Sequence, residues 1–175
     1  VQPDIHVATL GKSLGCAGAV VAGSETLVEY LVQRARSWVF STAPPPAIAA
    51  AARAALRIVA GAEGAALRET LRAHIAYFRE ACTALGIPLM ASQTAIQPLV
   101  IGAEAPTLAI SRALFERGYW IAAIRPPTVP RGTARLRITL TAAHTRAQID
   151  GLVEALAGAW HDARRSAASP ATAKA

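Results

Sequence analysis

Thr9-Leu-Gly-Lys12-Ser-Leu-Gly15 is the most informative part of this sequence, because a single lysine stands there between glycines after a short apolar run. The chain has only one other lysine, Lys174, and sixteen of its eighteen basic residues are arginines. An amine can lose its proton and attack a carbonyl carbon, whereas a guanidinium stays charged. Lys12 is therefore a candidate Schiff-base lysine, which we expect in an apolar, cation-rich pocket that favours the neutral amine.

Two other interpretations of this segment stay open on the segment alone. Gly-Lys-Ser also ends the phosphate-binding pattern G-x-x-x-x-G-K-[ST], but that pattern needs glycine where the chain has His6. No clear helix opens after Ser13, which the P-loop would also require. The remaining interpretation is an ordinary surface lysine in a glycine-rich turn.

The composition limits the classes of protein to which the chain can belong. It has 175 residues, of which 53% are hydrophobic, enough for one substantial core and part of another. No charge-free run of eighteen apolar residues occurs, so we expect no membrane partner. The net charge of +7 suggests nucleic acid, but the arginines are dispersed without a dense basic run. A preference for phosphates or carboxylates fits better than a nucleic-acid partner.

The cysteines and histidines predict no metal site. Cys16 and Cys82 lie far apart without metal-ligand spacing, so we expect free thiols in a reducing compartment and a cytoplasmic location. The four histidines are scattered, and His144 is interpreted as structural. Because the chain opens with Val1 rather than methionine, we expect a fragment of a longer protein.

Hydrophobic periodicity and capping signals predict alternating strands and helices. The clearest strand alternates Leu136 and Ile138 on one face with Arg135 and Arg137 on the other. The predicted extended segments are 5–8 and 18–23, both taken as buried strands, followed by 38–40, 95–101, 120–124 and 134–140. The predicted helices are 25–35, 46–60, 63–85, 106–117 and a last one that begins with the capping box Thr145–Gln148.

This order of elements predicts an α/β chain in two parts. Residues 1–61 have too few strands to bury their own apolar faces, so they are expected to belong to a larger α/β domain. Residues 62–160 are expected to form a compact α+β domain of about three strands packed by helices. Residues 161–175 turn to Ala, Ser, Arg and Pro and are predicted to be a disordered tail.

Three motifs together resemble the α-oxoamine synthases, which are pyridoxal-phosphate enzymes of the aspartate aminotransferase fold type. The first is the lysine stretch already quoted, and the second is Phe40-Ser-Thr-Ala43 leading into Pro45-Pro46. The third, Ile124-Arg-Pro-Pro-Thr-Val-Pro130 with residues 132–145, is similar to the C-terminal domain of those members that condense L-alanine with a pimeloyl thioester. The likeness covers about residues 4–158 and implies the C-terminal part of that fold: a remnant of the large α/β domain plus the small α+β domain.

The resemblance implies a role for each matching residue. Lys12 would hold pyridoxal 5'-phosphate and move a proton, and Thr9 would bind the cofactor phosphate. Thr42, together with Ser41, would reach the phosphate of a neighbouring subunit, which implies a homodimer. The structural alternative is that these two hydroxyls cap the N-terminus of a helix.

The resemblance also implies a substrate site in the C-terminal part. Arg137 would clamp the amino-acid carboxylate, a task suited to a bidentate guanidinium, and Thr128 would line the substrate site. Taken alone, Arg137 is more typical of a solvated strand-face charge, and Thr128 of loop capping.

One departure from the family pattern affects the expected activity. The groups that stack on the pyridine ring, pair with its nitrogen and form an early glycine turn have no counterpart in this sequence, so we expect the 175 residues alone to be inactive. Two alternatives remain. The chain could belong to a sister synthase that uses glycine or serine with another acyl-CoA, or it could be a non-catalytic remnant domain.

Overall fold

The computed structural model describes residues 3–168 of the chain. The backbone contacts divide it into two compact units, one through Ala66 and one from Leu67 onward, so the division falls within one long helix. Each unit has its own sheet, and the two are best described separately.

The first unit begins with a two-stranded antiparallel ribbon followed by short helices. Strands β1 (His6–Thr9) and β2 (Ala19–Ala22) pair in a register that sets Thr9 opposite Ala19. Helix α1 starts after Ser24, whose hydroxyl accepts a hydrogen bond from the Leu27 amide, as an N-cap serine should. The helices of this unit are α1 (Glu25–Arg34), α2 (Arg36–Val39), α3 (Pro46–Ala60) and the start of α4 (Ala62–Ala84).

The predicted burial of the two strands is wrong. Every described side chain of β2 is exposed, and in β1 only Ala8 is half-buried. Val7, for example, leaves 66% of its surface exposed. The reason is that a two-stranded ribbon needs a second layer to bury a face, and this unit supplies none over it.

The extended piece predicted for residues 38–40 is also wrong, since Arg36–Val39 form a helical turn. The amides of Trp38 and Val39 both donate to the carbonyl of Ala35, which closes the turn. A short apolar run has too few residues for its periodicity to separate a strand from a helical turn.

The second unit is a three-stranded antiparallel sheet with helices on one face. The strands β3 (Ile96–Gly102), β4 (Ala122–Ile124) and β5 (Ala134–Thr139) lie in the order β3-β5-β4. The helices are α4, α5 (Glu104–Glu116) and α6 (Arg146–Ala168). The predicted alternation of β5 is confirmed, because Leu136 and Ile138 are fully buried while Arg137 is exposed. The core also includes Phe78, Leu99, Leu114 and Leu156.

Helix α6 has the predicted capping box but runs further than predicted. The Thr145 amide donates to Gln148 Oε1 at 2.9 Å, and the Gln148 amide donates to Thr145 Oγ1 at 3.2 Å. The helix continues through Ala168, so the tail predicted to begin at residue 161 is wrong over that stretch. Trp160 is buried and Ala163 packs against the core. These contacts hold the last turns of α6 against the second unit, and the alanines and arginines there have good helix propensity. Residues 169–175 of the predicted tail lie outside the described residues.

Within residues 3–168, none of the helices is both long enough and apolar enough to cross a membrane.

Candidate functional site

Lys12 lies in the loop that joins β1 to β2, and three backbone hydrogen bonds fold that loop tightly. The Leu10 amide donates to the Gly18 carbonyl at 2.9 Å, and the Cys16 amide returns a 2.9 Å bond to Leu10. The Gly15 amide donates to the Lys12 carbonyl at 3.0 Å. Gly15 and Gly18 have φ values of +63° and +99°, a region that other residues rarely adopt. These two glycines therefore allow the turn that holds Lys12 at the end of the ribbon.

The Lys12 side chain is exposed rather than buried in the apolar pocket that we expected. Among the described residues it makes no ion pair, since all four salt bridges involve arginines elsewhere. Thr9, three residues earlier at the end of β1, is also exposed. The ribbon therefore offers a primary amine and a hydroxyl on one short hairpin, both open to a ligand.

Ser41 and Thr42 lie in the segment between α2 and α3, and the structure separates their roles. The Ser41 hydroxyl donates to the Ser37 carbonyl at 2.6 Å, so it is already engaged at the end of α2. Thr42 is exposed, and its hydroxyl makes no hydrogen bond within the described part of the chain. Thr42 is thus the more available of the two for a ligand.

Arg137 stands on the open face of the second unit's sheet. Its strand partners are Pro98 on β3 and Ala122 on β4, both small or flat, so little covers the guanidinium. Arg137 is exposed and has no ion pair or side-chain hydrogen bond in residues 3–168. Its neighbour Arg135, by contrast, uses Nε to bind the Thr133 carbonyl at 3.0 Å. A pocket of about 330 Å³ adjoins Arg137 and is lined also by Trp120, Ile121, Ala122 and Thr139.

Thr128 lies in the proline-rich loop between β4 and β5. Its amide donates to the Arg125 carbonyl at 3.0 Å, which forms a turn, and its side chain is exposed. Thr128 does not line the pocket beside Arg137. Of the predicted site residues, the structure brings Thr9 and Lys12 together on one hairpin and gives Arg137 a pocket of its own.

Sequence reasoning missed Trp120, which is 87% exposed although it is the largest apolar side chain near the pocket. It lines the Arg137 pocket and a second pocket of about 270 Å³. The available signal was the alternation of side chains along the predicted strand 120–124. Trp120 lies two residues before Ala122, which pairs with Arg137, so Trp120 is on the same face of the sheet as Arg137.

The two thiols lie in different environments. Cys82 is fully buried, and this burial raises the pKa of its thiol to about 12, an effect that the nearby Arg79 guanidinium opposes. Cys16 is half-buried, with its thiol donating to the Leu14 carbonyl at 3.2 Å. Within residues 3–168, no group of three or more His, Cys, Asp or Glu side chains could hold a metal ion.

The chain matches the family described as aminotransferase class I and II over residues 1–156, and it therefore belongs to that family. Its similar relatives include 8-amino-7-oxononanoate synthases. It is 58% identical over 158 residues to the one from Methylococcus capsulatus, covering 90% of this chain and 40% of that protein. The one from Thioalkalivibrio sulfidiphilus is 58% identical over 155 residues, 89% of this chain and 39% of that protein. The chain thus spans about 40% of the length of these curated relatives.

Solved structures agree with the fold. An 8-amino-7-oxononanoate synthase from Francisella tularensis superposes with a TM-score of 0.76 at 30% identity, over 90% of this chain and 46% of that one. Serine palmitoyltransferase from S. paucimobilis, solved with a bound PLP-myriocin aldimine, superposes with a TM-score of 0.82 at 26% identity, over 93% of this chain and 41% of that one. The predicted family resemblance and the predicted fold, the C-terminal part of the aminotransferase-like architecture, are confirmed.

Proposed function

We propose that this chain forms the C-terminal part of a pyridoxal-phosphate-dependent synthase that condenses L-alanine with a pimeloyl thioester, with loss of CO₂, to give 8-amino-7-oxononanoate for biotin. The observation that carries the proposal is the exposed Lys12 amine, which makes no ion pair among the described residues, on a glycine-bounded hairpin in a chain 58% identical to synthases of that name. The proposed division into residues 1–61, from the cofactor-binding domain, and residues 62–160, from the small domain, belongs to the same hypothesis.

The residues on the β1–β2 hairpin fit pyridoxal 5'-phosphate chemically. Lys12 provides the primary amine that an aldehyde needs, and Thr9 provides a hydroxyl for the phosphate on the same hairpin. Thr42, whose hydroxyl is unengaged in the described residues, would bind the phosphate of a neighbouring subunit, with Ser41 beside it; a homodimer follows from that role. When bound, the cofactor supplies an electron sink for the negative charge that develops on the amino-acid α-carbon.

Lys12 and Arg137 would divide the work on the amino acid. The Lys12 amine would take the α-proton of alanine and later return it, the task of a positioned general base and acid. The Arg137 guanidinium would bind the alanine carboxylate through two parallel N–H···O bonds and so orient the α-carbon. Thr128, exposed in the β4–β5 loop, would contribute a hydroxyl to the substrate site.

We further propose that the 175 residues alone are inactive. Lys12, Thr9 and Thr42 are all exposed to water in this chain, whereas acid–base and electrostatic catalysis depends on a site from which water is largely excluded. The two cysteines, which form no disulfide, support a reducing compartment and hence a cytoplasmic location.

The test is a chimera in which this chain replaces the matching C-terminal part of the Methylococcus capsulatus synthase. With pyridoxal phosphate, we expect turnover of L-alanine with pimeloyl-CoA or pimeloyl-carrier protein, and none from the 175-residue chain alone. A folded chimera that binds the cofactor but turns over neither donor would contradict the proposal and favour a non-catalytic domain.

The second candidate is a sister synthase, since serine palmitoyltransferase shares this fold with a TM-score of 0.82. The same chimera decides between them when it is offered alanine, glycine and serine with pimeloyl and other acyl thioesters. We expect a preference for alanine with the pimeloyl donor, and a preference for serine or glycine would assign the chain to the sister class.

A further inference from the structure

A second pocket, of about 270 Å³, lies at the start of α6 beside the end of β5. Four of its lining residues, Tyr119, Thr139, His144 and Gln148, carry polar side-chain groups, and the others are apolar or glycine. Its described lining contains no aspartate or glutamate. The lining residues are Gly118, Tyr119, Trp120, Ile121, Thr139, Leu140, His144, Gln148, Ile149 and Leu152.

His144 lines this pocket, and a backbone contact sets its tautomer. The Thr141 amide donates to His144 Nδ1 at 3.1 Å, so Nδ1 carries no proton. A neutral imidazole then has its proton on Nε2, which can donate. Within residues 3–168, Nε2 of His144 makes no hydrogen bond. His144 therefore combines the structural role predicted from the sequence with an unused N–H.

Gln148 and Thr139 add further unused donors. The capping box occupies Gln148 Oε1, which accepts from the Thr145 amide, and leaves the two N–H groups of the side-chain amide without a partner in the described chain. The Thr139 hydroxyl lies on the open face of the sheet and is also unpaired there. A pocket lined by N–H and O–H donors and by no acidic group suits a ligand rich in acceptors, such as a carboxylate.

The pocket adjoins the Arg137 pocket, since Trp120, Ile121 and Thr139 line both. The shared wall is largely apolar, which suits a methylene chain that runs from one pocket toward the other. A molecule that reaches both pockets would have its acyl carbon near Arg137 and an acidic group at the far end of an aliphatic chain.

We propose that this pocket binds the distal carboxylate of a dicarboxylic acyl donor, with His144, Gln148 and Thr139 as donors and Trp120 as the wall against the aliphatic chain. The inference rests on the proposed function for the identity of the donor, a pimeloyl thioester. It adds to that function the residues that would select a carboxylate-ended chain over a plain fatty acyl chain.

A binding experiment on the isotope-labelled 175-residue chain tests this without any turnover. Monomethyl pimelate (called pimelate below) and methyl heptanoate share a seven-carbon acyl chain, and only the first has a free carboxylate at its far end; they are titrated separately by NMR. We expect the amides of Thr139, His144 and Gln148 to shift with pimelate and to respond at least about tenfold more weakly to methyl heptanoate, as a charge-assisted hydrogen bond implies. Equal responses to both ligands, or no response to either, would overturn the proposal.

Gln148→Glu provides the sharp variant. Glutamate keeps the oxygen that caps α6, so we expect an unchanged Tm, but it replaces the amide donors with a negative charge that repels the carboxylate. Pimelate affinity should fall about tenfold or more, whereas in Arg137→Gln the response at Gln148 should persist. The opposite result would contradict the proposal: if the pimelate-dependent shift is lost in Arg137→Gln but remains in Gln148→Glu, Arg137 binds the distal carboxylate.

The chimera extends the test to selectivity. There Gln148→Glu should raise KM for pimeloyl-CoA while leaving KM for L-alanine and for heptanoyl-CoA unchanged, which a general structural defect would not do. Pimelate binding in a chimera without turnover would reject the proposed function and keep the carboxylate pocket. Turnover without pimelate-dependent shifts would support the proposed function and reject the carboxylate pocket.

Discussion

The two units of this chain differ in how far their apolar side chains are buried. Through Ala66, large hydrophobic side chains such as Val7 and Phe40 stay exposed, and among the described residues of that unit only Ala52 and Gly64 are buried. From Leu67 onward, a continuous core forms around Phe78 and Leu136. The unit that carries the proposed reactive amine thus has little core of its own, while the unit that carries the proposed carboxylate clamp has a full one. Large losses of stability are therefore expected from substitutions in the core of the second unit, whereas substitutions of the exposed site residues in either unit should change chemistry.

The largest expected effect is on Lys12 in the active chimera. Lys12→Ala should reduce turnover by about 10²- to 10⁴-fold or more through loss of the proton-transfer role alone, because the alanine side chain cannot accept a proton. The Tm should not change, since the side chain is exposed. Steady-state rates and thermal melts measure both, with Ser13→Ala, its exposed neighbour, as the control that retains turnover. Wild-type rates from Lys12→Ala would refute the role of this residue.

A matched pair of phenylalanines compares the two units directly. Phe78 is fully buried and Phe40 is 78% exposed. Phe78→Ala should lower the free energy of unfolding of the second unit by about 3–5 kcal/mol, because it removes a core ring and leaves a cavity. Phe40→Ala should change it by about 0.5 kcal/mol or less in the 175-residue chain. Urea unfolding followed by circular dichroism measures both, and equal losses would mean that the first unit has a core of its own.

Arg137 should show a smaller, substrate-specific effect. Arg137→Gln in the chimera should raise KM for L-alanine by about 10- to 100-fold, the range expected for a lost charge-assisted hydrogen bond of about 1.5–3 kcal/mol. The Tm should stay the same because the guanidinium is exposed and unpaired in the described residues. Arg112→Gln, on an exposed face of α5, is the control with unchanged KM. An unchanged KM in Arg137→Gln would mean that Arg137 is only a solvated charge on the strand face and does not bind the substrate.

The smallest effect concerns the two thiols. Burial raises the pKa of Cys82 from 9.0 to about 12, so the folded state holds this proton more tightly than the unfolded chain does. The Cys82 contribution to stability is therefore fully present below pH 9 and is lost as the pH rises from about 9 toward 12. Relative to Cys82→Ala, the wild-type chain should lose stability over that interval in thermal melts. A thiol reagent at neutral pH should modify Cys16 quickly and Cys82 only after unfolding, and rapid modification of Cys82 would show that the core opens.

Much of the second unit followed from local sequence. The alternation of residues 134–140 predicted the buried and exposed faces of β5, because a strand turns successive side chains to opposite faces whatever surrounds it. The helix that ends before Gly86 also matches prediction, as does the helix that begins at Pro46 in the first unit, since proline and glycine act through their own backbone preferences.

Features that depend on distant partners could not be predicted. An apolar run such as Ile5–Ala8 has the same sequence whether or not a second layer covers it, so the exposure of β1 and β2 was missed. The length of α6 was missed because the burial of Trp160 depends on packing against the core. The pocket at His144 was missed because residues 118–121, the end of β5 and the start of α6 line it together, and their proximity depends on the fold.

Every role proposed for the first unit requires that Lys12 bind the cofactor once the rest of the synthase is present. Borohydride reduction of the chimera with pyridoxal phosphate, followed by peptide mass spectrometry, shows which lysine binds it. We predict a single phosphopyridoxyl group, on Lys12, that is absent from Lys12→Ala. A stable adduct at Lys174 instead, or turnover without any adduct at Lys12, would show that Lys12 is not the cofactor lysine.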